Sequence, residues 1–530
     1  MSGERRAAGF SPRGRSNTRT PHAGAQAGRY GRAWNSSAWL LAAPILLLAA
    51  VEATSQTIVL EGGRIIPVVG EEIEKGRVLI RDGHIESITS LNRPRGRPRG
   101  DAAPPAEIPF DAKVIDVSGK TIFPGLIDVH TARGLDVPNE SPPVTPFLNV
   151  KDAIDPSQLF FEDALRDGVL SIHVIVGNNC VIGGLSRVVH PIGLTPDEMT
   201  TAADVALKLS LTPRRGFDRM RQMATFRETF RKLKEDMGRL AEKRYEDTLR
   251  EQKKDLDVPP DEARQRGKKL IRLEDIPEKD RNLLKLTQGQ MRAFVYCGNA
   301  MDVPAAVKLA RENGFFEQSV FVLGSECYKA IDVLKEAGRP VVLDANLIHR
   351  ETDPITGEEK ETFVPTLIDE AGLKFALQRR PGTSLGERYL GYQAARCVRE
   401  GIDRSKALQA ITLWPAEMIG QGKRLGSIEP GKDANLLVLS GDPLDMQTWV
   451  EKGFVQGIEV YDREEDIRLK RLLAEPESDL GPSSKPDETT TGEAETKASA
   501  DKKTDNTDKK PDKPRRRRGR RGRRGPPGGR

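Results

Sequence analysis

The chain has 530 residues, of which 37% are hydrophobic and 31% charged, and its formal net charge is +6. This length suits one large domain with additional segments, and the composition suits a folded body diluted by polar stretches. Its cysteines are widely spaced with no CxxC pair, which excludes a zinc ribbon and argues against a disulfide scaffold. Only six histidines occur, although imidazole is the usual ligand of a catalytic zinc.

Residues 1–55 contain a basic leader followed by a short apolar run, AWLLAAPILLLAAVEA, at 38–53. The run is short for a membrane span and is interrupted by Pro44. A basic leader, an apolar run and small residues after it are typical of an export signal. We therefore predict a protein of the periplasm or cell envelope, with anchoring by an uncleaved signal segment as the alternative.

Short alternating strands with glycine-centred turns are predicted in residues 56–120, where Arg-Asp-Gly-His at 81–84 indicates a hairpin. The loop at 93–105 is rich in proline and arginine. Strand-like sequence returns at 425–465. We expect these two flanking segments to be mainly β-structure.

Residues 121–424 alternate apolar strands with amphipathic helices that end at glycine. Predicted strands are VLSIHVIVG (169–177), RAFVYCG (292–298), SVFVLGS (319–325), PVVLDAN (340–346) and LKFALQ (373–378); predicted helices cover 302–314, 327–338 and 390–401. This alternation predicts a parallel α/β fold, and a barrel fits the length best. A charged stretch at about 213–290 breaks the rhythm and is predicted to be an exposed helical insertion.

Residues 475–530 have almost no apolar side chains, so they cannot form a core. They end in KPRRRRGRRGRRGPPGGR at 513–530, a basic block of the kind that binds polyanions through charge. Nucleic acid, an anionic envelope polymer and lipid headgroups are the candidate partners, and export makes nucleic acid the weaker one. A solubilising tail without a fixed partner is the alternative.

Four segments together resemble the amidohydrolase superfamily, and its imidazolonepropionase-like branch most closely: GKTIFPGLIDVH (119–130), GVLSIHVIVGNNCVIGG (168–184), KALQAITLWPAEMIG (406–420) and GSIEPGKDANLLVLSGDPL (426–444). The resemblance covers roughly residues 57–462. It implies a (β/α)8 TIM barrel at 121–424 plus a small composite β-sandwich formed by both ends of the folded body, at 56–120 and 425–465.

The resemblance also implies a catalytic divalent metal, usually zinc, whose bound water is activated for attack on C–N bonds. In the family the ligands are a His-x-His pair, two further histidines and an aspartate. His130 matches the first of the pair, but Ala132 takes the place of the second. The other three places match Tyr296, Ser325 and Arg380. Arginine is the most damaging change, because two unit charges 4 Å apart interact by about 4 kcal/mol at an effective dielectric constant near 20.

We therefore predict no cofactor, with zinc or another divalent metal as the alternative and His130 as the one surviving family ligand. A site rebuilt from His130, His173, Cys297 and Cys327 is a further alternative, although a hydrogen-bonded interior histidine is the commoner role for His173. No catalytic residue is assigned.

The residues expected to line a pocket are His130, His173, Tyr296, Ser325 and Arg380, and the arginine favours a small anionic ligand.

Three hypotheses of function remain. The first is an exported binding or partner protein, in a homo-oligomer or a hetero-oligomer with related amidohydrolases, that has lost the metal. The second is an active metal-dependent hydrolase of non-peptide C–N bonds, including cyclic amides, with an altered ligand set. In the third the basic tail makes the functional contact and the barrel is its anchor.

Overall fold

The computed structural model describes residues 57–92, 108–254, 257–380 and 388–473. The predicted leader and signal segment (1–55), the loop at 93–105 and the tail at 475–530 lie outside the described residues. Described residues up to Asp466 belong to one compact unit, and Ile467–Leu473 belongs to a second. Within the described ranges, no helix is both long enough and apolar enough to cross a membrane.

The described strands, in chain order, are β1 (Ile58–Glu61), β2 (Arg64–Ile65), β3 (Gly76–Arg81), β4 (His84–Ser90), β5 (Lys113–Asp116), β6 (Thr121–Pro124), β7 (Leu126–Thr131), β8 (Val169–Val174), β9 (Ile182–Leu185), β10 (Arg187–Val189), β11 (Thr200–Ala202), β12 (Ala206–Ser210), β13 (Arg292–Cys297), β14 (Ser319–Leu323), β15 (Val341–Val342), β16 (Ile348–Thr352), β17 (Glu359–Phe363), β18 (Phe375–Ala376), β19 (Leu436–Leu439), β20 (Val450–Val455) and β21 (Ile458–Asp462).

The described α-helices are α1 (Leu159–Arg166), α2 (Arg219–Glu251), α3 (Pro260–Gly267), α4 (Glu278–Thr287), α5 (Asp302–Glu312), α6 (Ile331–Ala337), α7 (Val364–Glu370), α8 (Leu390–Arg399), α9 (Arg404–Gln409), α10 (Leu413–Met418) and α11 (Ile467–Leu473). Helix α6 is shorter than its sequence pattern predicts, because Ser325–Ala330 forms a 3-10 helix before it.

The first sheet has the strand order β4-β3-β1-β5. Strands β3 and β4 form the predicted hairpin, whose turn places Asp82 at φ 51° and Gly83 at φ 79°. These left-handed conformations explain the Asp-Gly sequence, because glycine and aspartate tolerate them better than most residues.

A second sheet joins the two ends of the described chain in the order β2-β6-β19-β20-β21. Strand β6 pairs antiparallel with β19, which sets Phe123 opposite Leu437. Apolar side chains of both sheets share one buried cluster, which comprises Ile58, Leu60, Ile65, Val78, Ile80, Ile85, Val117, Ile122, Ile428, Ala434, Leu436, Val438 and Phe454. Both flanking segments therefore form strands, as their alternating sequence predicts.

The central segment contains the predicted parallel α/β structure. Strands β12, β13, β14, β15 and β18 are successive parallel neighbours, with α5, α6 and α7 in the connections from β13 onward. Strand β7 runs parallel to β8 in a separate sheet. The carboxyl ends of neighbouring parallel strands lie at the same edge of a sheet, which is where α/β proteins usually bind their ligands.

Strands β15 and β18 are only two residues long, whereas the sequence pattern predicts longer ones. The backbone hydrogen bonds continue beyond both strands without a regular ladder. Leu343 N donates to Ala376 O at 2.9 Å, and Leu377 N donates to Ala410 O at 3.1 Å, on the approach to α10.

The charged insertion is helical, as predicted, but it is not exposed on all sides. Helix α2 begins after Asp218, whose side chain accepts a hydrogen bond from Arg221 N at 2.7 Å. Phe226, Phe230 and Leu233 on one face of α2 join the main buried cluster. The sequence hides this face because charged residues surround these three apolar residues.

Candidate functional site

His130 lies near the carboxyl end of β7, a strand in which every residue is buried. Its Nδ1 is 2.9 Å from Gln378 Oε1, and Gln378 Nε2 donates to the Leu343 carbonyl at 2.9 Å. The amide orientation of Gln378 makes Oε1 the acceptor, so His130 Nδ1 is the donor. The neutral ring therefore carries its lone pair on Nε2.

Lys208, in the middle of β12, contacts that lone pair. Its side chain is fully buried, and Nζ lies 2.6 Å from His130 Nε2, to which it donates. Burial lowers the pKa of Lys208 to about 7. Burial, together with the nearby Lys208 charge, also holds the pKa of His130 well below its ordinary value. In the described part of the chain, no carboxylate makes a hydrogen bond or ion pair with Lys208 Nζ.

These residues do not fit the divalent metal that the sequence resemblance implies. A lone pair that accepts a hydrogen bond from Lys208 is not available to a metal ion. Ala132 has no donor atom two residues further on. Across the described ranges, no group of three or more His, Cys, Asp or Glu side chains could hold an ion.

Tyr296 and Arg380 match two further places where the amidohydrolase superfamily has a metal ligand. Tyr296 lies close to Lys208, and Arg380 contacts Asp344. Lys208 Nζ is 5.5 Å from the centre of the Tyr296 ring. Burial, with a smaller effect of the Asp344 charge, raises the pKa of Tyr296 to about 12, so the phenol keeps its proton. Arg380 Nη2 donates to both carboxylate oxygens of Asp344, at 2.8 and 3.0 Å. We call His130, Lys208, Gln378, Tyr296, Asp344 and Arg380 the strand-end cluster.

His173 is a fully buried histidine whose two ring nitrogens both have partners. Nδ1 donates to the Val129 carbonyl at 2.8 Å, and Nε2 accepts from Ser186 Oγ at 2.7 Å. Burial lowers its pKa to about 4, so the ring is neutral. These contacts are those of the hydrogen-bonded interior histidine that we weighed against a ligand role.

The thiols of the alternative metal site are also engaged. Cys327 Sγ donates to the Cys297 carbonyl at 3.0 Å. Burial raises the pKa of Cys327 to about 12 and that of Cys297 well above its ordinary value. A thiol must lose its proton to bind a metal, so burial disfavours this use of both cysteines.

Ser325 follows β14 after Gly324 and contacts a residue that the sequence did not single out. Its Oγ is 3.1 Å from Nδ1 of His349, on β16. The ring of Tyr328 meets the His349 ring edge-on, with centroids 5.6 Å apart.

Sequence reasoning missed four residues of these two groups: Lys208, Gln378, Asp344 and His349. Lys208 gave the clearest signal, because it is the only charged residue in the apolar strand ALKLS. Its contact with His130 could not be predicted, because the register of β12 relative to β7 depends on how the chain folds between 131 and 206.

Two cavities lie away from the strand-end cluster. One of about 30 Å³ is lined by residues that follow β7 and β8, including Asn139, Val176 and Cys180. A larger one of about 390 Å³ is lined by residues that include Phe123, Leu126, Tyr389 and Trp449. Neither is lined by a residue of the strand-end cluster.

Comparisons with known proteins agree with this architecture. A model of the Amidohydrolase family matches residues 385–461. Amidohydrolase tasK of Hapsidospora irregularis is 24% identical over 378 residues, which is 66% of this chain and 38% of that protein. The N-substituted formamide deformylase of Arthrobacter pascens is 41% identical over 70 residues, covering 12% of this chain and 13% of that enzyme.

The crystal structure of an amidohydrolase from Thermotoga maritima MSB8 has a TM-score of 0.58 and 24% identity, and the match covers 77% of this chain and all of that one. The fold is therefore that of an amidohydrolase-type α/β protein. In sequence, the chain is similar to amidohydrolases over these segments. It spans about two fifths of its fungal relative and about an eighth of the deformylase.

Proposed function

We propose that this chain is a metal-free member of its superfamily that acts as a binding or partner protein. The contact between Lys208 Nζ and His130 Nε2 carries the proposal, because it uses the lone pair of the one expected metal ligand that the sequence retains. A buried amine also disfavours a nearby dication through charge repulsion whenever it is protonated.

We further propose that the two sheets of the central segment form a (β/α)8 barrel, and that the two flanking sheets form a composite β-sandwich. His130 of β7 contacts Lys208 of β12 and Gln378 just beyond β18, which supports closure of the first and last parallel strands around one interior. The shared apolar cluster of the flanking sheets supports the sandwich.

At the strand-end cluster, the ligand we propose is a small anion held by Arg380. Its side chain is 44% exposed, and its guanidinium pairs with Asp344, with which a ligand carboxylate or phosphate must compete. Asp344→Asn should therefore strengthen binding, and Arg380→Ala should abolish it.

Calorimetric titration with succinate and with inorganic phosphate tests this ligand proposal. Arg399→Ala is the matched control, because Arg399 is an exposed arginine that pairs with Glu400 on α8 and its flank. Binding that is absent from the wild type, or equal in Arg380→Ala and Arg399→Ala, contradicts an anion site at Arg380.

An active hydrolase of non-peptide C–N bonds is the second candidate, supported by the partial match to an Amidohydrolase family model and by the local match to a formamide deformylase. Hydrolysis of an N-substituted formamide and of a cyclic amide, assayed with and without added zinc, tests it. Zinc-dependent turnover that is lost in His130→Ala would support this candidate and contradict the metal-free one.

We also propose that the protein is exported and that its basic block, residues 513–530, holds it on an anionic envelope surface. Deletion of 513–530 should abolish binding to vesicles that contain anionic lipid, whereas deletion of the equally long 481–498 should not. Vesicle binding that survives loss of 513–530 contradicts the role of the tail.

Cell fractionation tests the proposed location, and light scattering tests the proposed homo- or hetero-oligomer.

A further inference from the structure

Ser325 and His349 lie on separate elements that the fold brings together. Ser325 follows β14 after Gly324, and His349 lies in β16, the first strand of the β16–β17 hairpin that follows β15. Strands β14 and β15 are parallel neighbours, so both residues follow the same edge of the sheet. The 3.1 Å separation of Ser325 Oγ and His349 Nδ1 is within the range of a nucleophile and its base.

One further contact holds the imidazole, and an ion pair lies beside it on the same strand. The Tyr328 ring packs edge-on against it. Glu351, two residues along β16 and so on the same face of the strand, forms an ion pair with Lys329 at 2.8 Å. The pKa of Glu351 is lowered mainly by its hydrogen bond and charge interaction with Lys329, and also by His349.

Both members of the pair are partly exposed, and none of their contacts involves the strand-end cluster. A serine hydroxyl that shares a hydrogen bond with an imidazole is activated when the imidazole nitrogen accepts its proton. The tautomer that this requires has its proton on Nε2 and its lone pair on Nδ1 of His349.

We propose that Ser325 is a nucleophile and His349 its general base in the hydrolysis of small carboxylic esters. Ser325 Oγ bonds to the carbonyl carbon as its proton passes to His349 Nδ1. The C–O bond to the alcohol then breaks, and the alcohol leaves with that proton. Water, deprotonated by the same nitrogen, attacks the acyl-serine, and its proton returns to Ser325 Oγ as the carboxylic acid leaves.

Esters are the substrate class, rather than amides, because an alcohol is a better leaving group than an amine. This activity goes beyond the proposed binding function. It needs no metal, so its failure would leave the metal-free proposal intact.

The test is covalent labelling of the full-length protein with a fluorophosphonate in the presence of a chelator, followed by peptide mass mapping. Ser325→Ala and His349→Ala remove the two members of the pair. Ser157→Ala and His190→Ala are matched controls elsewhere in the fold. Hydrolysis of 4-nitrophenyl acetate by the same five proteins provides the catalytic readout.

We expect an adduct on Ser325 in the wild type and in both controls, none in Ser325→Ala, and a labelling rate lower by about 100-fold in His349→Ala. Ester hydrolysis should fall in parallel. The proposal is overturned by an unlabelled Ser325, by adducts that form only on other serines, or by equal labelling of the wild type and His349→Ala.

Discussion

At Lys208 the ammonium form is disfavoured, because the side chain is fully buried and its hydrogen-bond partner is an imidazole. In the unfolded chain the amine titrates near its ordinary pKa of 10.5, whereas in the folded protein it titrates near 7. Between these values the unfolded state binds more protons, so the free energy of unfolding rises with pH. Below about pH 7 both states are protonated, and this dependence disappears.

Lys208→Met removes that dependence while keeping a side chain of similar length. From about pH 7 to about pH 9, we expect the wild type to gain about 1.4 kcal/mol per pH unit relative to the variant. Unfolding in urea at several pH values measures the gain. Lys234→Met, which removes an exposed lysine of α2, should follow the wild type. A wild-type-to-Lys208→Met difference that is constant with pH would mean that Lys208 keeps its proton in the folded state.

At this scale the sequence predicted that His130 lies at the end of a strand, because a local motif marks β7. The absence of the superfamily's metal ligands at Ala132 and Tyr296 stays a prediction. The Lys208–His130 contact could not be predicted, since it depends on the three-dimensional register between β7 and β12. The contact of Gln378 with His130 was missed for a different reason, because an amide side chain has no distinctive sequence pattern.

Between elements, the chain after β18 is tied to the end of α1 by a buried ion pair. Arg379 Nη2 lies 2.5 Å from Asp167 Oδ2, and both side chains are almost fully buried. Burial raises the pKa of Asp167, although the nearby Arg379 charge opposes the shift.

We expect Asp167→Ala to lower the free energy of unfolding by about 3–5 kcal/mol, because it removes the ion-pair partner of the buried Arg379 side chain. The double variant Asp167→Leu/Arg379→Met should lose less. Urea unfolding measures both. Arg231→Ala, on the exposed face of α2, is the control and should change little. If the double variant loses as much as Asp167→Ala, the uncompensated arginine is not the cause.

Helices α2 and α3 approach closely at one glycine. A Cβ atom added to Gly267 would lie 1.8 Å from the Ala241 carbonyl oxygen. Gly238, within α2, has ordinary space around it, with Arg264 Cδ at 3.7 Å.

Gly267→Ala should therefore separate α3 from α2 and speed hydrogen exchange of the α3 amides. Gly238→Ala should instead stabilise α2 by about 0.5–1 kcal/mol, because alanine is the better helix former. Hydrogen exchange followed by mass spectrometry measures both variants. Unchanged protection of α3 in Gly267→Ala would contradict the close packing.

The sequence predicted most of these elements, because hydrophobic periodicity and turn residues act locally. It overstated the exposure of the insertion, since the three apolar residues that bury α2, Phe226, Phe230 and Leu233, are surrounded by charge. The sequence pattern also predicted β15 and β18 to be longer than they are. Hydrogen bonds to neighbouring elements set the ends of both strands.

Across the whole molecule, the parallel α/β order and the β-rich flanks were predicted from the sequence, and the comparisons find amidohydrolases of similar sequence and fold. This chain's own residues determine the charges and hydrogen bonds around His130. An amine and an amide occupy both nitrogens of His130, and a guanidinium–carboxylate pair lies at the same strand ends. The chain thus combines the superfamily's fold with an interior suited to hydrogen bonds rather than to a dication.

Elemental analysis of the purified full-length protein, expressed in zinc-supplemented medium, tests this most directly when combined with thermal unfolding in chelator. We predict far less than one zinc, iron or manganese ion per chain and an unchanged Tm in chelator. About one ion per chain, removed by the chelator together with a lower Tm, would contradict the account.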